Sequence, residues 1–333
     1  MEDLEMKNFW QDRRVFVTGA SGLVGGWLVE ELIRQEADVI ALVRDWVPCS
    51  NLLSRDIINK VTIVRGDLSD SRFLERVIAE YEIESVIHLA AQTIVPIANK
   101  NPLSTFESNI AGTWNLLEAC RHVKSIASVV VASSDKAYGD APELPYRENM
   151  PLSATYPYDV SKACADMISV SYAKTFDLPV AITRCGNFFG GGDLNWNRII
   201  PGAIRSVIRG KAPVIRSDGT LIRDYIYVED AVSAYITLTK ALTLDSKLSG
   251  EAFNFSNETQ RNVLEITKII INILGANLEP VIQGNNHGEI QAQYLDSTKS
   301  FTKLNWQPKY GLEEGLKKTI SWYKHYLENT RNA

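Results

Sequence analysis

With 333 residues, 45% of them hydrophobic and 23% charged, the chain can bury one large core or two modest ones. The formal net charge of −5, with no basic stripe, excludes a nucleic acid or an anionic membrane as the main partner. No apolar run approaches the roughly 20 residues a membrane span needs, and the opening MEDLEMKNFWQD lacks a signal-peptide core. The four cysteines (Cys49, Cys120, Cys164, Cys185) and four histidines are scattered without metal-ligand or disulfide spacing, so the expectation is a cytoplasmic protein with no metal site.

In chain order, Arg14–Thr18 reads as a strand, Leu23–Gln35 as a helix and Val39–Val43 as the second strand. Val61–Arg65 is the third strand, Ser71–Glu80 a helix and Ser85–Leu89 the fourth strand. Pro102–Arg121 is a long helix, Ala127–Ala132 a strand, Tyr156–Phe176 a second long helix and Val180–Thr183 a strand. Short unalternating apolar strands between amphipathic helices predict an α/β fold, a Rossmann-type doubly wound parallel sheet.

After Arg184 the texture changes. CGNFFGGGD reads as a loop and Arg198–Arg209 as a helix. Pro213–Arg216 and Leu221–Ile226 flank Asp218-Gly219, which predicts a hairpin. Glu229–Ala241 is a helix, Glu251–Phe255 a strand, and Val263–Leu274 and Leu312–Tyr326 are helices. Two interleaved lobes are expected: residues 10–184 with 225–256 for a dinucleotide, and residues 185–224 with 257–330 as a smaller substrate-binding lobe.

The first strand runs into Gly19-Ala20-Ser21-Gly22-Leu23-Val24-Gly25, a GxxGxxG turn that opens a helix. Gly19 allows the tight turn, Gly22 the close approach of a pyrophosphate, and Gly25 close helix–strand packing. The helix start then offers free N–H groups to the anion. Asp45, about 20 residues beyond Gly25, is placed to hold the adenosine ribose hydroxyls, which favours NAD. Its neighbour Arg44 would suit the extra phosphate of NADP, so that cofactor stays open. Asp67, followed by Leu68, can accept from the adenine amino group or simply close an Asx turn.

Tyr158 and Lys162 form a YxxxK pair on one helix face. An ammonium beside the phenol should lower the tyrosine pKa and make it a base for a sugar hydroxyl. Ser133-Ser134, at the end of the preceding strand, offers a hydroxyl to steady the substrate oxygen.

GASGLVG, HLAA (88–91), SSDKAYGD (133–140), YPYDVSK (156–162), RDYIYVEDA (223–231) and the closing stretch 294–323 together resemble the extended short-chain dehydrogenases/reductases. These include the nucleotide-sugar epimerases, decarboxylases and 4,6-dehydratases. The resemblance implies NAD along Leu89, Ala90, Ala91, Thr93 and Asn109. It also implies a nucleotide-diphosphate sugar held by Thr93, Ser134, Asn187, Arg198 and Arg223, in a homodimer paired through helices 102–121 and 156–176. The order Ser134-Asp135-Lys136 resembles the 4,6-dehydratases, and its Asp-Lys pair those acting on CDP-glucose. That implies catalytic roles for Ser134, Asp135, Lys136, Tyr158 and Lys162 in a redox-neutral cycle. C4 is oxidised by NAD, water is lost across C5–C6, and the same hydride returns to C6. Asp135, kept protonated by burial, would protonate the departing O6. Lys136 would either remove the C5 proton or, charged, stabilise an enolate. A C4 or C2 nucleotide-sugar epimerase is the alternative expectation. A non-catalytic dinucleotide-sensing relative is the remoter one, set against the presence of both Tyr158 and Lys162.

Overall fold

The structure is a computed structural model that describes residues 9–54, 57–285 and 289–331. The chain opens with β1 (Arg14–Thr18), α1 (Leu23–Arg34), β2 (Asp38–Val43), β3 (Thr62–Arg65), α2 (Ser71–Glu80) and β4 (Ser85–His88). A short helix α3 (Val95–Lys100), which the sequence pattern did not reveal, precedes the long helical segment 102–121. That segment is α4 (Pro102–Phe106), one π-helical turn (Glu107–Ala111) and α5 (Gly112–Arg121). Then come β5 (Ser128–Ala132), α6 (Pro157–Phe176), β6 (Val180–Cys185), β7 (Asn187–Phe189), α7 (Ile199–Ile208), β8 (Val214–Ile215) and β9 (Ile222–Tyr227). The chain continues with α8 (Val228–Leu244), β10 (Ala252–Phe255), β11 (Gln260–Asn262), α9 (Val263–Ile273), β12 (Val281–Ile282), β13 (Ala292–Gln293), α10 (Thr298–Leu304) and α11 (Leu312–Arg331).

The expected parallel sheet is present, with seven strands in the order β10-β6-β5-β4-β1-β2-β3. Its strands are buried on both faces: Val15–Val17, Val129–Val131 and Val180–Ile182 are essentially inaccessible. One core layer packs α1 and α8 against the sheet, through Leu28, Leu32, Leu238 and Phe253. The other packs α2 and α5 against the opposite face, through Leu74, Ile78, Leu116 and Leu117. Consecutive strands leave β1 in opposite directions, to β2 and to β4, and a crevice opens at the strand C-termini there. Both chemistry-bearing segments of the sequence, 19–25 and 133–136, emerge at that edge.

Two expectations are corrected. The glycine-rich segment after Arg184 is not all loop: β6 continues to Cys185, and Asn187–Phe189 pairs in parallel with Tyr225–Tyr227 of β9. Its glycine density hides a short strand that β9 recruits. Asp218-Gly219 does not close a hairpin either. Val214–Ile215 pairs in parallel with Val281–Ile282, while β9 joins β11, β13 and β7 in a separate small sheet. The Asp218 carboxylate accepts from the Thr220 N–H at 2.9 Å, and Gly219 takes φ +87°. The turn therefore redirects the chain between two sheets. Helix α10 also carries no signal strong enough to read. Among the described residues no helix is long and apolar enough to cross a membrane.

Candidate active site

A cavity of about 1290 Å³ runs along the C-terminal edge of the large sheet and against the small sheet that holds β7 and β9. Its floor is the glycine turn. Gly19 takes φ +72°, and a Cβ there would stand 2.8 Å from the Ala90 nitrogen. At Gly25 a Cβ would lie 2.0 Å from the Gly19 carbonyl oxygen, so the helix sits on the turn at a distance only glycine allows. Gly22 caps α1 with no side-chain hydrogen bond and no acid in the first turn. The N–H groups of that turn are thus open to an anion. Ser21, Leu23, Val24, Leu89, Ala90, Ala91 and Thr93 line the same cavity. This cradle fits a dinucleotide.

Arg44, Asp45, Asp67 and Leu68 form the far wall. The Arg44 guanidinium donates to Asp45 at 2.7 Å and lies 3.8 Å from Asp67. Asp67 also closes an Asx turn, accepting from the Ser69 N–H at 2.8 Å. Burial pushes its carboxyl up, but the Ser69 bonds and Arg44 outweigh that and hold it below its ordinary value.

The residues expected to be catalytic converge where β5 ends. The Ser134 side chain caps the turn Asp135–Tyr138, accepting from the Lys136 N–H at 3.2 Å and donating to the Asp135 carboxyl at 2.9 Å. A buried relay pins this turn. Tyr138 donates to Asn254 on β10 at 2.8 Å and accepts from Arg184 at 3.0 Å, while Arg184 is forked onto Asp166 at 2.8 and 2.9 Å. Bidentate pairing of that kind fixes orientation as well as charge. Asp135 is 3% exposed, and burial pushes its carboxyl above the ordinary value against Lys136, the Ser134 hydroxyl and Arg223. Lys136 Nζ reaches Gln293 on β13 at 3.1 Å, a partner 157 residues away that no spacing rule would have found.

Tyr158 and Lys162 both line the cavity from α6. Lys162 is buried, its ammonium donates to the Ala132 carbonyl at 2.8 Å, and burial draws its pKa down to about 8. The tyrosine corrects an expectation. Burial pushes Tyr158 well above its ordinary value; Arg198 and Ser134 oppose this, while Asp135 and Asp159 add to it. Lys162, whose ammonium points at the Ala132 carbonyl, is not among the groups that set the shift.

Asn109 is a second correction, since it does not line the cavity. The π-helical turn sends its amide inward, where it accepts from the Gln92 N–H at 2.7 Å and donates to Ser161 at 2.8 Å. It ties the 90–94 loop to the helix carrying Tyr158 and Lys162. Asn187, Arg198 and Arg223 do line the cavity. Arg198 is held by Asp193 at 3.1 Å and Thr93 at 3.2 Å, and Arg223 by Glu289 at 2.9 Å. Glu289 and Gln293 were invisible to motif reading because each acts through a distant partner, and nothing in the sequence marks Asp193 as the partner of Arg198.

Residues 16–319 match the family model described as GDP-mannose 4,6 dehydratase. The chain is similar to the CDP-glucose 4,6-dehydratase of Salmonella typhimurium, with 33% identity over 96% of this chain and 93% of that one. Among solved structures it is similar to a dTDP-glucose 4,6-dehydratase from Bacillus anthracis in complex with NAD, at TM-score 0.82 and 27% identity over 95% and 98% of the two chains. It is also similar to a UDP-glucose 4-epimerase from Thermotoga maritima with UDP-glucose, at TM-score 0.85 and 27% identity over 94% and 99%.

Proposed function

The chain belongs to the GDP-mannose 4,6 dehydratase family, and on that premise we propose that it is an NAD-dependent nucleotide-sugar 4,6-dehydratase, with CDP-glucose the favoured substrate. One observation carries the choice of reaction: Asp135, a buried carboxyl with a raised pKa, stands beside Ser134 in the cavity that Tyr158 and Lys162 line. An epimerase needs the tyrosine but gives a proton-holding acid at that point no work.

Bound NAD would supply the oxidant at C4 and the reductant at C6. Gly19 to Gly25 would hold its pyrophosphate, Asp45 its ribose, and Asp67 and Leu68 its adenine side. NAD is favoured over NADP because Arg44 is already engaged by two carboxylates, and Asp45 would repel a ribose phosphate. In its phenolate form Tyr158 takes the O4 proton, with Ser134 steadying that oxygen, and Lys162 holds the tyrosine's end of the site. Lys136 meets the C5 proton or the enolate charge that follows its loss, and Asp135 gives its proton to O6 as water departs. Asn187, Arg198 and Arg223 hold the sugar and the diphosphate, guanidinium forks being matched to phosphate oxygens. The sugar would lie between the lobe of residues 10–184 and 225–256 and that of residues 185–224 and 257–330.

The test is mass spectrometry of product after incubation with NAD and CDP-, dTDP-, UDP- and GDP-hexoses. A product lighter by one water is expected, from CDP-glucose first. Turnover to a product of unchanged mass would replace the dehydratase by an epimerase and remove the acid role from Asp135.

The same reading places the enzyme in the cytoplasm, in keeping with four free cysteines, and makes it a homodimer. Leu103, Trp114, Met167 and Phe176 are exposed on the helical segments 102–121 and 157–176, an apolar surface that a second copy would cover. Light scattering should give twice the mass of one chain. A monomeric mass at micromolar concentration would rule the dimer out.

A further inference from the structure

Asp159 sits at the third position of α6, next to Tyr158. A carboxylate in a first helical turn ordinarily faces solvent or bonds the free N–H groups there. Asp159 does neither. It is 3% exposed, and among the described residues its carboxylate has no hydrogen-bond or ion-pair partner. It lines the cavity instead, in the field of Lys136 and Asp135 from the turn after β5, Arg223 from β9 and Glu289 from the segment before β13.

The Asp159 carboxylate opens into the cavity and meets no protein donor among the described residues, so neither packing nor an internal ion pair gives a reason for it. Burial pushes its pKa up to about 6; Lys136 and Arg223 pull it down while Asp135 and Glu289 push it further. Near neutral pH it is a carboxylate with its acceptor oxygens unused. In the proposed reaction Tyr158 and Ser134 engage O4, while Asp135 and Lys136 act at C5 and C6. The hexose hydroxyls at C2 and C3 are the ones left with no partner assigned.

We infer that Asp159 recognises the hexose, its carboxylate accepting a hydrogen bond from the hydroxyl at C2 or C3. It thereby selects sugars that carry that hydroxyl. This rests on the dehydratase reading, which sets the hexose against Tyr158.

The experiment compares wild type and Asp159→Ala on the nucleotide hexose and on its 2-deoxy and 3-deoxy analogues. Loss of one hydrogen bond to a charged acceptor should lower kcat/KM of the variant about 10- to 100-fold, mainly through KM. Binding of the nucleoside diphosphate alone, by calorimetry, should be unchanged, and the thermal midpoint should hold or rise. Removing one of the two substrate hydroxyls should cost wild type a similar factor and cost the variant nothing more. Equal deoxygenation penalties in the two proteins, or a matching loss of nucleoside diphosphate binding, would overturn the assignment. If wild type dehydrates no nucleotide hexose, the dehydratase reading fails by itself. Asp159 is then judged by binding: the affinity a nucleotide hexose gains over its nucleoside diphosphate must still shrink in the variant, or this inference fails too.

Discussion

Tyr158→Phe is expected to slow oxidation at C4 by about 10²- to 10⁴-fold, the usual range for removing a positioned acid–base group, while leaving nucleotide binding intact. The phenol stands in the cavity wall with Ser134 on one side and Lys162 one helical turn away. Phenylalanine keeps the packing and removes only the hydroxyl. Because burial pushes the phenol up, it is protonated at neutral pH, and its capacity to take the O4 proton should grow as pH rises. The rate of C4 oxidation should therefore climb with pH in wild type and lose that dependence in Tyr158→Phe. Single-turnover reactions, quenched and trapped with borodeuteride to count 4-ketohexose, measure both effects. A variant that oxidises C4 at the wild-type rate would remove Tyr158 from its assigned role.

The large sheet was readable because each parallel strand is a short apolar run buried on both sides, and Ser71–Glu80 showed a full amphipathic period. The glycine turn was readable because backbone proximity forbids any other residue at Gly19 and Gly25. The smaller sheets were harder. Their strands are two to six residues long and pair across distant stretches, as Val214–Ile215 does with Val281–Ile282, so local pattern carries little of their arrangement. Side-chain roles divided in the same way. Residues named by a local motif, such as Ser134, Tyr158 and Lys162, do come to one cavity, whereas Gln293 and Glu289 follow only from three-dimensional proximity. The Tyr158 pKa was misread because adjacency on a helix face says nothing about burial or about the Ala132 carbonyl that engages Lys162. Asn109 was misplaced because an unforeseen π-helical turn rotates it toward Gln92 and Ser161.

Asp135→Asn should separate the two halves of the reaction. The amide keeps the size of the carboxyl and an oxygen to accept from Ser134, so the turn Asp135–Tyr138 and its anchor at Asn254 should be preserved. Oxidation at C4 depends on Tyr158 and should stay within a few-fold of wild type. Loss of water needs an acid for O6, which the amide lacks, and elimination should fall about 10²- to 10⁴-fold. The nucleotide 4-ketohexose should then build up on the enzyme, to one equivalent of reduced cofactor, with its C6 oxygen in place. Stability gives an independent reading. A carboxyl whose pKa is raised by burial binds its proton more tightly in the folded state than in the unfolded chain. Its contribution therefore favours folding at low pH and is lost as pH rises from the ordinary carboxylate range through the raised value. Asp135→Asn removes that dependence, so the variant should be no less stable than wild type at neutral pH and should show a flatter thermal midpoint against pH. Equal loss of oxidation and elimination, in a variant of undiminished thermal midpoint, would show that Asp135 organises the site and is not the acid for O6.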